Sequence, residues 1–256
     1  MPDDALLPIL MIPIAFLCGA IPFSYLIGRA KGVDIRTHGS GNPGATNLGR
    51  VLGRPYFFLG FSADLAKGLC PTLLTGHFLG VLGTLDVPER AAWIWLGAMA
   101  ASVLGHMYTP FLKFKGGKGV ATGLGALIGV MPAMTIAAVG AFIVYSMTLA
   151  LWRMVGPASS IASATLPVWV YLVFENKEKL DERLIQSQSQ FADTPAADID
   201  QMVPNHATPF LIVAVLLAVL VIYKHRANLG RAMRGEEPKL GERKPAPTTT
   251  DTPVSE

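Results

Sequence analysis

A series of long apolar blocks constrains the fold of this chain more than any other feature. The first block, Leu6 to Ile27, contains no charged residue. A helix needs about 20 apolar residues to cross the ~30 Å hydrocarbon core of a bilayer. Only 15% of the 256 residues are charged, against roughly 25% in soluble domains. The pattern predicts a membrane protein, and the acidic Asp3 and Asp4 before the first block argue against a cleaved signal peptide.

Six further spans can be placed along the chain. The apolar stretch Gly119 to Leu151 is longer than one span requires and contains Pro132, so we predict two spans with a turn near Met131-Pro132. With that division, the spans after the first are Tyr56 to Leu82, Ala91 to Leu112, Gly119 to Val130, a span from Pro132 to Leu151, Pro157 to Phe174, and Thr208 to Tyr223. The sequence therefore predicts an all-α polytopic membrane protein with seven transmembrane helices.

Basic residues test this count, because cytoplasmic connections carry an excess of Lys and Arg. Seven spans place four basic residues on one side: Arg90, Lys177, Lys179 and Arg183. They place sixteen on the other: Arg29, Lys31, Arg36, Arg50, Arg54, Lys113, Lys115, Lys118, Arg153, Lys224, Arg226, Arg231, Arg234, Lys239, Arg243 and Lys244. We therefore expect the N-terminus outside and the C-terminus in the cytoplasm.

The domain organisation follows from the same blocks. Residues 1–236 are predicted to form a single transmembrane domain, with a polar extracytoplasmic insert at about 175–207 that contains the run QSQSQ. Residues 237–256 are rich in Pro and Thr and are predicted to be a disordered cytoplasmic tail, because they carry too little apolar surface to pack.

Three polar stretches fall on the predicted cytoplasmic side. They read GSGNPGATNLGR (39–50), GHMYTPFLKFKGGKGVATG (105–123) and HRANLGRAMRGEE (225–237). Glycines allow successive backbone N–H groups to form an anion-binding nest, Arg and Lys supply charge, and a helix that begins after Lys118 adds its N-terminus. Each stretch alone could be an ordinary basic loop. Three together on one side predict a site for a phosphate-like anion. Because Gly119 follows Lys118 where a P-loop needs Ser or Thr, this is not a nucleotide P-loop.

Asp64 and Lys67 are charged residues inside the second span, three positions apart. Charges in hydrocarbon usually pair and face the bundle interior. Two interpretations stay open: the two residues form a structural ion pair, or one of them supports the anion site from below.

The residues SGNPGATNLGR, GHMYTPFLKFKGGKGVAT and HRANLGRAMRGEE resemble, in order and spacing, the three motifs of the bacterial PlsY family, the acyl-phosphate-dependent glycerol-3-phosphate acyltransferases. The DLAKG of the second span is similar to that family as well. The resemblance covers residues 5 to 237. It implies transfer of a fatty acyl group from acyl phosphate to the sn-1 hydroxyl of glycerol 3-phosphate in the bacterial inner membrane, giving lysophosphatidic acid and phosphate.

The resemblance also implies the site residues. The catalytic candidates are Ser40, Arg50, Lys118 and Asn228. The substrate-binding candidates are Gly41, Asn42, Gly44, Thr46, Asn47, Lys67, His106, Gly116, Gly117, His225, Arg231 and Glu236. We expect Lys118, Arg50 and Ser40 to hold the phosphates, with Asn228 and Arg231 orienting glycerol 3-phosphate. The phosphate of glycerol 3-phosphate, with a second pKa near ~6, is the expected base, and His106 and His225 are the alternatives.

The expected partners are acyl phosphate, glycerol 3-phosphate and membrane lipid, without nucleic acid, and the expected state is a monomer. No cofactor and no metal are expected, because the cytoplasmic loops offer no cluster of Asp or Glu for Mg²⁺. An HxxxxD acyltransferase is excluded, since no Asp lies five positions after any His. The alternative is a transporter of phosphate or an organophosphate, although such proteins tend to repeat internally and to bind near the bilayer midplane.

Overall fold

The chain forms a helical bundle in the computed structural model, which describes residues 6–189 and 207–241, with side chains up to residue 184 in the first range. Nine α-helices lie in these residues: α1 (Leu6–Ala20), α2 (Phe23–Ala30), α3 (Ala45–Leu52), α4 (Arg54–Phe78), α5 (Glu89–Met107), α6 (Val120–Gly129), α7 (Ala133–Trp152), α8 (Val155–Ser189) and α9 (Ala207–Met233). The last residue of QSQSQ, residues 190–206 of the predicted insert and residues 242–256 of the predicted tail lie outside the described ranges.

Five segments among the described residues are long and apolar enough to cross a membrane, against the seven predicted. They are Leu6–Ala30, Arg54–Phe78, Ala133–Trp152, Val155–Leu184 and Ala207–Met233. The other two predicted spans correspond to α5 and α6. Helix α5 has 19 residues but begins with Glu89 and Arg90, and α6 has ten residues, which reach only about 15 Å. The all-helical class is confirmed, and the count of seven full spans stays a prediction.

The first predicted span is interrupted at Ile21-Pro22, between α1 and α2. Proline has no backbone N–H to continue the helix. The carbonyls at this break bond to buried side chains instead: Ala20 accepts from Thr109 Oγ1 at 2.6 Å, and Ile21 accepts from Lys67 Nζ at 2.6 Å. The interruption therefore supplies acceptors to polar groups that could not otherwise be buried.

Glycines bring the helices into close contact. A Cβ atom on Gly105 of α5 would lie 2.2 Å from the Phe16 carbonyl oxygen of α1, and one on Gly125 of α6 would lie 2.0 Å from the Leu65 carbonyl oxygen of α4. Small residues permit such backbone approach between membrane helices. Gly129 of α6 packs in the same way on Thr72 of α4. The Gly125-xxx-Gly129 pair thus packs α6 against α4 within this chain.

The last two helices extend further than predicted. Helix α9 continues ten residues beyond Tyr223 to Met233, so most of the third motif is helical. Helix α8 runs for 35 residues to Ser189, or about 52 Å, which makes the start of the polar insert a continuation of the helix. The predicted turn near Pro132 is confirmed, because α6 ends at Gly129 and α7 begins at Ala133.

Candidate active site

A cleft of about 100 Å³ brings the three polar motifs together. Its lining comes from the N-terminal halves of α4, α6 and α8 and from the C-terminal halves of α5, α7 and α9, so the cleft lies at one end of the bundle. The lining residues are Ser40, Asn42, Gly44, Ala45, Thr46, Asn47, Arg50, Phe57, Phe61, Asp64, His106, Lys118, Gly119, Val120, Ala121, Tyr145, Val155, Gly156, His225, Asn228 and Glu237.

The first motif is a loop that Asn47 organises. This side chain is 1% exposed. Its amide donates to the carbonyls of Ile35 at 2.6 Å and His38 at 3.1 Å, and its oxygen accepts from the Ser40 N–H at 2.7 Å. Asn47 therefore fixes the backbone around Ser40, which is a positioning role beside the binding role predicted for it.

Helix α3 follows this loop, and its first turn lies against the cleft. Gly44, Ala45 and Thr46 line the cleft, and no side chain caps the helix N-terminus. Arg50 lies one turn further along the same helix, and burial lowers its pKa while the nearby Glu237 carboxylate acts in the opposite direction. Free N–H groups and an arginine on one short helix are well suited to an anion.

In the second motif, the N–H groups of Gly116 and Gly117 bond to other backbone groups of the protein. Their N–H groups donate to the carbonyls of Met107 at 3.3 Å and His106 at 3.1 Å, so these two groups do not form an open anion nest. A Cβ atom on Gly117 would lie 2.2 Å from His106 Nε2. The glycines are needed because the loop packs directly on His106.

Lys118 extends into the cleft from the end of this loop. Gly119 follows with φ +79 and caps α6, as expected for a helix that begins just after the lysine. Lys118 Nζ donates a short hydrogen bond to Asn228 Oδ1. Burial lowers the pKa of Lys118 to about 8; the Glu237 carboxylate opposes this shift, and Arg231 and Arg50 add to it.

The third motif presents one face of α9 and the turn after it. His225 is buried, and its Nδ1 lies 2.8 Å from the Val221 carbonyl. Asn228 Nδ2 donates to Glu237 Oε1 at 2.6 Å. Arg231 Nε donates to Glu237 Oε2 at 2.9 Å, and Arg231 Nη2 lies 2.8 Å from the same oxygen in an ion pair. Glu237 thus joins the two residues of α9 that were predicted to hold glycerol 3-phosphate.

The predicted Glu236 does not line the cleft. It is more than half exposed and pairs with Arg234 at 2.8 Å, whereas the next residue, Glu237, is 5% exposed. The glutamate of the site is therefore Glu237 and not the predicted Glu236. The two adjacent glutamates look alike in sequence, and only the turn at Gly235 (φ +72) decides which carboxylate faces inward.

Lys67 and Asp64 form a buried cluster beside the cleft. Lys67 Nζ lies 2.9 Å from Asp64 Oδ1, Ser24 Oγ donates to Asp64 Oδ2 at 2.9 Å, and His106 Nδ1 lies 3.8 Å from Asp64 Oδ1. A smaller cavity of about 10 Å³ is lined by Lys67, Asp64, His106, Gly116 and Gly117. The structural ion pair is present, and Asp64 also lines the larger cleft.

Most of the predicted site residues therefore meet. Ten of the sixteen line the cleft: Ser40, Asn42, Gly44, Thr46, Asn47, Arg50, His106, Lys118, His225 and Asn228. Lys67, Gly116 and Gly117 line the smaller cavity. Gly41, Arg231 and Glu236 line neither, although Arg231 reaches the site through Glu237.

An apolar wall of the cleft was missed by the sequence analysis. Phe57, Phe61, Val120, Tyr145 and Val155 form it. They come from four separate helices or helix ends, and each belongs to an apolar block that looks like any lipid-facing or core segment. No local signal in the sequence distinguishes them.

These helices and this cleft define an integral membrane protein with a cationic site at one end of its bundle, and comparisons with known proteins agree. Residues 9–235 match the family model described as Glycerol-3-phosphate acyltransferase. A glycerol-3-phosphate acyltransferase of Geotalea daltonii is 40% identical over 230 residues, covering 90% of this chain and 95% of that protein. The one of Aquifex aeolicus is 34% identical over 227 residues, covering 89% and 96%.

Solved structures agree as well. The crystal structure of the integral membrane acyltransferase PlsY (YgiH) in its glycerol 3-phosphate form has a TM-score of 0.70 and 32% identity, with 91% of this chain and 96% of that chain covered. Its lysophosphatidic acid form has a TM-score of 0.68 and 31% identity, with 91% and 94% covered. The chain belongs to the glycerol-3-phosphate acyltransferase family, and it is an enzyme, an acyltransferase.

Proposed function

We propose that this protein transfers a fatty acyl group from acyl phosphate to the sn-1 hydroxyl of glycerol 3-phosphate, giving lysophosphatidic acid and phosphate as the first step of phospholipid synthesis. The observation that carries the proposal is the cleft itself, which Arg50 and Lys118 line and which Arg231 reaches through its ion pair with Glu237. Both substrates are phosphate anions. The relatives' name and the glycerol 3-phosphate form of PlsY support the acceptor.

The proposed reaction needs positioning and charge screening more than bond activation. The sn-1 oxygen attacks the acyl carbonyl carbon, the carbon–oxygen bond to phosphate breaks, and phosphate leaves with the bonding electrons. Because this leaving group is already a stable anion, bringing two anions together is the main obstacle. Lys118, Arg50 and Ser40 are assigned to the phosphates, and Asn228 and Arg231 to the orientation of glycerol 3-phosphate.

The proton of the attacking hydroxyl is assigned to the phosphate of glycerol 3-phosphate. Its second pKa near ~6 makes the dianion a competent base at neutral pH. His225 is the stronger protein alternative by geometry, because its Nδ1 is engaged by Val221 and its Nε2 remains available in the tautomer with the proton on Nδ1. His106 is packed against Gly117.

The apolar wall supports an acyl substrate. Phe57 and Phe61 stack at 5.7 Å between ring centroids, and with Val120 and Tyr145 they give the cleft one hydrophobic side next to its cationic side. An inorganic phosphate or a small sugar phosphate would not need that surface. A long acyl chain entering between helices from the lipid would.

We further propose that the cleft faces the cytoplasm of a bacterial inner membrane, with the N-terminus outside, and that the protein is a monomer. The alternating contribution of N-terminal and C-terminal helix ends from α4 to α9 supports antiparallel neighbours, which is what the charge asymmetry requires. Lys31→Cys and Glu182→Cys, each in a chain with Cys18 and Cys70 replaced by Ser, are treated with a membrane-impermeant thiol reagent. Only Glu182→Cys is expected to react from outside.

The test of function is direct. Purified protein in detergent or lipid is incubated with palmitoyl phosphate and labelled glycerol 3-phosphate, and lysophosphatidic acid and released phosphate are measured. We expect equal amounts of the two products. Palmitoyl-CoA serves as the donor control and is expected to be poor, because its thioester has no adjacent phosphate. A transporter would form no product in detergent, and comparable rates with palmitoyl-CoA would contradict the proposed donor.

A further inference from the structure

The chain after α9 turns back over the cleft and meets the connection between α7 and α8. We call residues Gly235–Gly241 the C-terminal strap. Within it, the Leu240 N–H donates to the Arg153 carbonyl at 2.6 Å, and Arg153 Nη2 donates to the Leu240 carbonyl at 2.7 Å. Two reciprocal hydrogen bonds therefore join the strap to a residue that is distant in sequence and does not line the cleft.

Arg153 is well placed for this contact. It follows the last residue of α7 and has a left-handed backbone conformation, with φ +58. Its own N–H donates to the Leu149 carbonyl. A left-handed residue at a helix end directs the chain and its carbonyl away from the helix. Three residues later, a Cβ atom on Gly156 would lie 2.5 Å from Asn228 Cβ. The same turn thus contacts both the strap and the Asn228 side of the cleft.

Within the strap, Glu237 is the residue that reaches the cleft. Its Oε1 accepts from Asn228 Nδ2, and this bond leaves Asn228 Oδ1 directed at Lys118 Nζ. The remaining oxygen of Glu237 holds Arg231. Glu237 thus determines which end of the Asn228 amide faces Lys118 and where the Arg231 guanidinium lies.

We propose that Arg153 is a positioning residue: by holding Leu240, it keeps Glu237 in the cleft, where Glu237 orients Asn228, Arg231 and Lys118 for acyl transfer. The inference rests on the proposed function of this site. It assigns a role in the reaction to a side chain that touches neither the cleft nor any of the three motifs.

The charges around Lys118 supply a readout that a purely structural role for Arg153 would not change. Arg50 on α3 and Arg231 on α9 lower the pKa of Lys118, and Glu237 raises it. His225 on α9, His106 on α5 and Asp64 on α4 line the same cleft. When Glu237 leaves its position, the main group that favours charged Lys118 is lost, so the pKa of Lys118 falls. The alkaline limb of the pH profile then moves to lower pH.

The experiment measures kcat/KM for glycerol 3-phosphate between about pH 6 and pH 10, a range that spans the ordinary pKa values of His and Lys. The variants are Arg153→Ala, Arg153→Lys, Glu237→Gln and the double variant Arg153→Ala/Glu237→Gln. Arg226→Ala is the matched control, because Arg226 is an exposed arginine of α9 that stacks on Tyr223 outside the cleft. A chain ending at Gly241 controls for the tail.

We expect Arg153→Ala to lower kcat/KM about three- to tenfold, the value of one hydrogen bond, and to move the alkaline limb to lower pH. Arg153→Lys restores most of the rate, because Lys can still donate to the Leu240 carbonyl. The double variant is no worse than Glu237→Gln, since effects that act through a shared partner do not add. Arg226→Ala and the shortened chain match the wild type.

Two results overturn the inference alone: an active wild type with an unmoved alkaline limb in Arg153→Ala, or effects of Arg153→Ala and Glu237→Gln that multiply. A wild type that makes no lysophosphatidic acid overturns the proposed function and this inference with it. Tryptophan fluorescence during thermal unfolding verifies that every variant is folded to the same extent.

Discussion

Two buried charge clusters lie close together in this protein and differ in their balance. In the first, Asp64 and Lys67 pair at 2.9 Å, and each side chain is 3% exposed. Ser24 also donates to Asp64, and Lys67 also donates to the Ile21 carbonyl. The second cluster, at the cleft, sets Arg50, Lys118 and the adjacent Arg231 against one carboxylate, Glu237, because the Asp64 that also lines the cleft is already paired with Lys67.

The difference indicates which cluster is structural and which is built to bind. A buried pair of opposite charges carries no net charge, so it does not by itself call for a charged ligand. An excess of two positive charges in a partly buried cleft is costly until an anion arrives, because desolvation disfavours each charge. That cost is visible in the lowered pKa values of Lys118 and Arg50. The charge balance of the cleft is therefore suited to anionic substrates.

The largest expected effect comes from unbalancing the first cluster. Lys67→Met leaves Asp64 buried without its partner, and breaking a buried pair in this way costs about 3 to 5 kcal/mol of stability. We expect a large fall in the thermal unfolding temperature in detergent. The double variant Asp64→Asn/Lys67→Met should recover much of it, because no net charge is left behind. An unchanged unfolding temperature in Lys67→Met would mean that the pair is not structural.

The next effect is on turnover and leaves the fold intact. Lys118→Ala removes a charge-assisted contact worth roughly 1.5 to 3 kcal/mol, so kcat/KM should fall about ten- to hundredfold. Lys118→Arg should recover only part of this, because a planar guanidinium does not replace a compact ammonium. The measurement is the rate with palmitoyl phosphate at equal amounts of folded protein.

Lys113→Ala is the matched control for Lys118. Both lysines belong to the second motif, but Lys113 is exposed and does not line the cleft. We expect its variant to keep the wild-type rate. Equal rates for Lys113→Ala and Lys118→Ala would show that Lys118 is only part of the positive charge that sets topology.

A smaller change in kcat/KM is expected when the pH is raised. The pKa of Lys118 is about 8, lowered mainly by burial. The lysine is charged below that pH and neutral above it, so kcat/KM should fall as pH rises through about 8, while a bound phosphate raises the pKa and keeps kcat constant to higher pH. Lys118→Arg should remove this limb, because arginine stays charged. A profile that is flat to pH 10 in the wild type would contradict the assignment.

Addition of EDTA is expected to leave the acyltransferase activity unchanged. In residues 6–189 and 207–241, no group of three or more His, Cys, Asp or Glu could hold a metal ion, and Glu237 in the cleft already bonds Asn228 and Arg231. Cations of the protein are expected to screen the phosphates instead. Loss of activity in EDTA that Mg²⁺ restores would contradict this prediction.

The structure places most of the site residues expected from the sequence close together, and their roles in the reaction stay predictions. Ser40, Arg50, Lys118 and Asn228 come from three separate stretches, and the structure brings all four to one cleft. These residues were implied by the resemblance of three motifs to a known family, and each motif is local enough to be recognised without the fold. The count of seven spans stays a prediction, since α6 is apolar like a span but has only ten residues.

Roles that depend on the path of the backbone could not be predicted. Gly116 and Gly117 were expected to offer N–H groups to an anion, yet these groups bond to Met107 and His106. A glycine can adopt several backbone conformations, and the residues that pack against it in the folded protein select one of them. The effect of Pro22 could not be predicted either. The helix break at Pro22 leaves the Ile21 carbonyl as a hydrogen-bond acceptor for Lys67 Nζ.

The sequence by itself determined the solvent of this protein and the chemical character of its site. Apolar block length fixes a membrane helix because the bilayer has a fixed thickness, and basic, glycine-rich motifs indicate an anion site because charge and backbone donors bind phosphate. Only the tertiary structure decided that Glu237 and not Glu236 faces the cleft, that Phe57, Phe61 and Tyr145 form its apolar wall, and that Arg153 meets Leu240. These contacts join residues far apart in the chain, and which of two similar side chains faces inward depends on packing that no local pattern encodes.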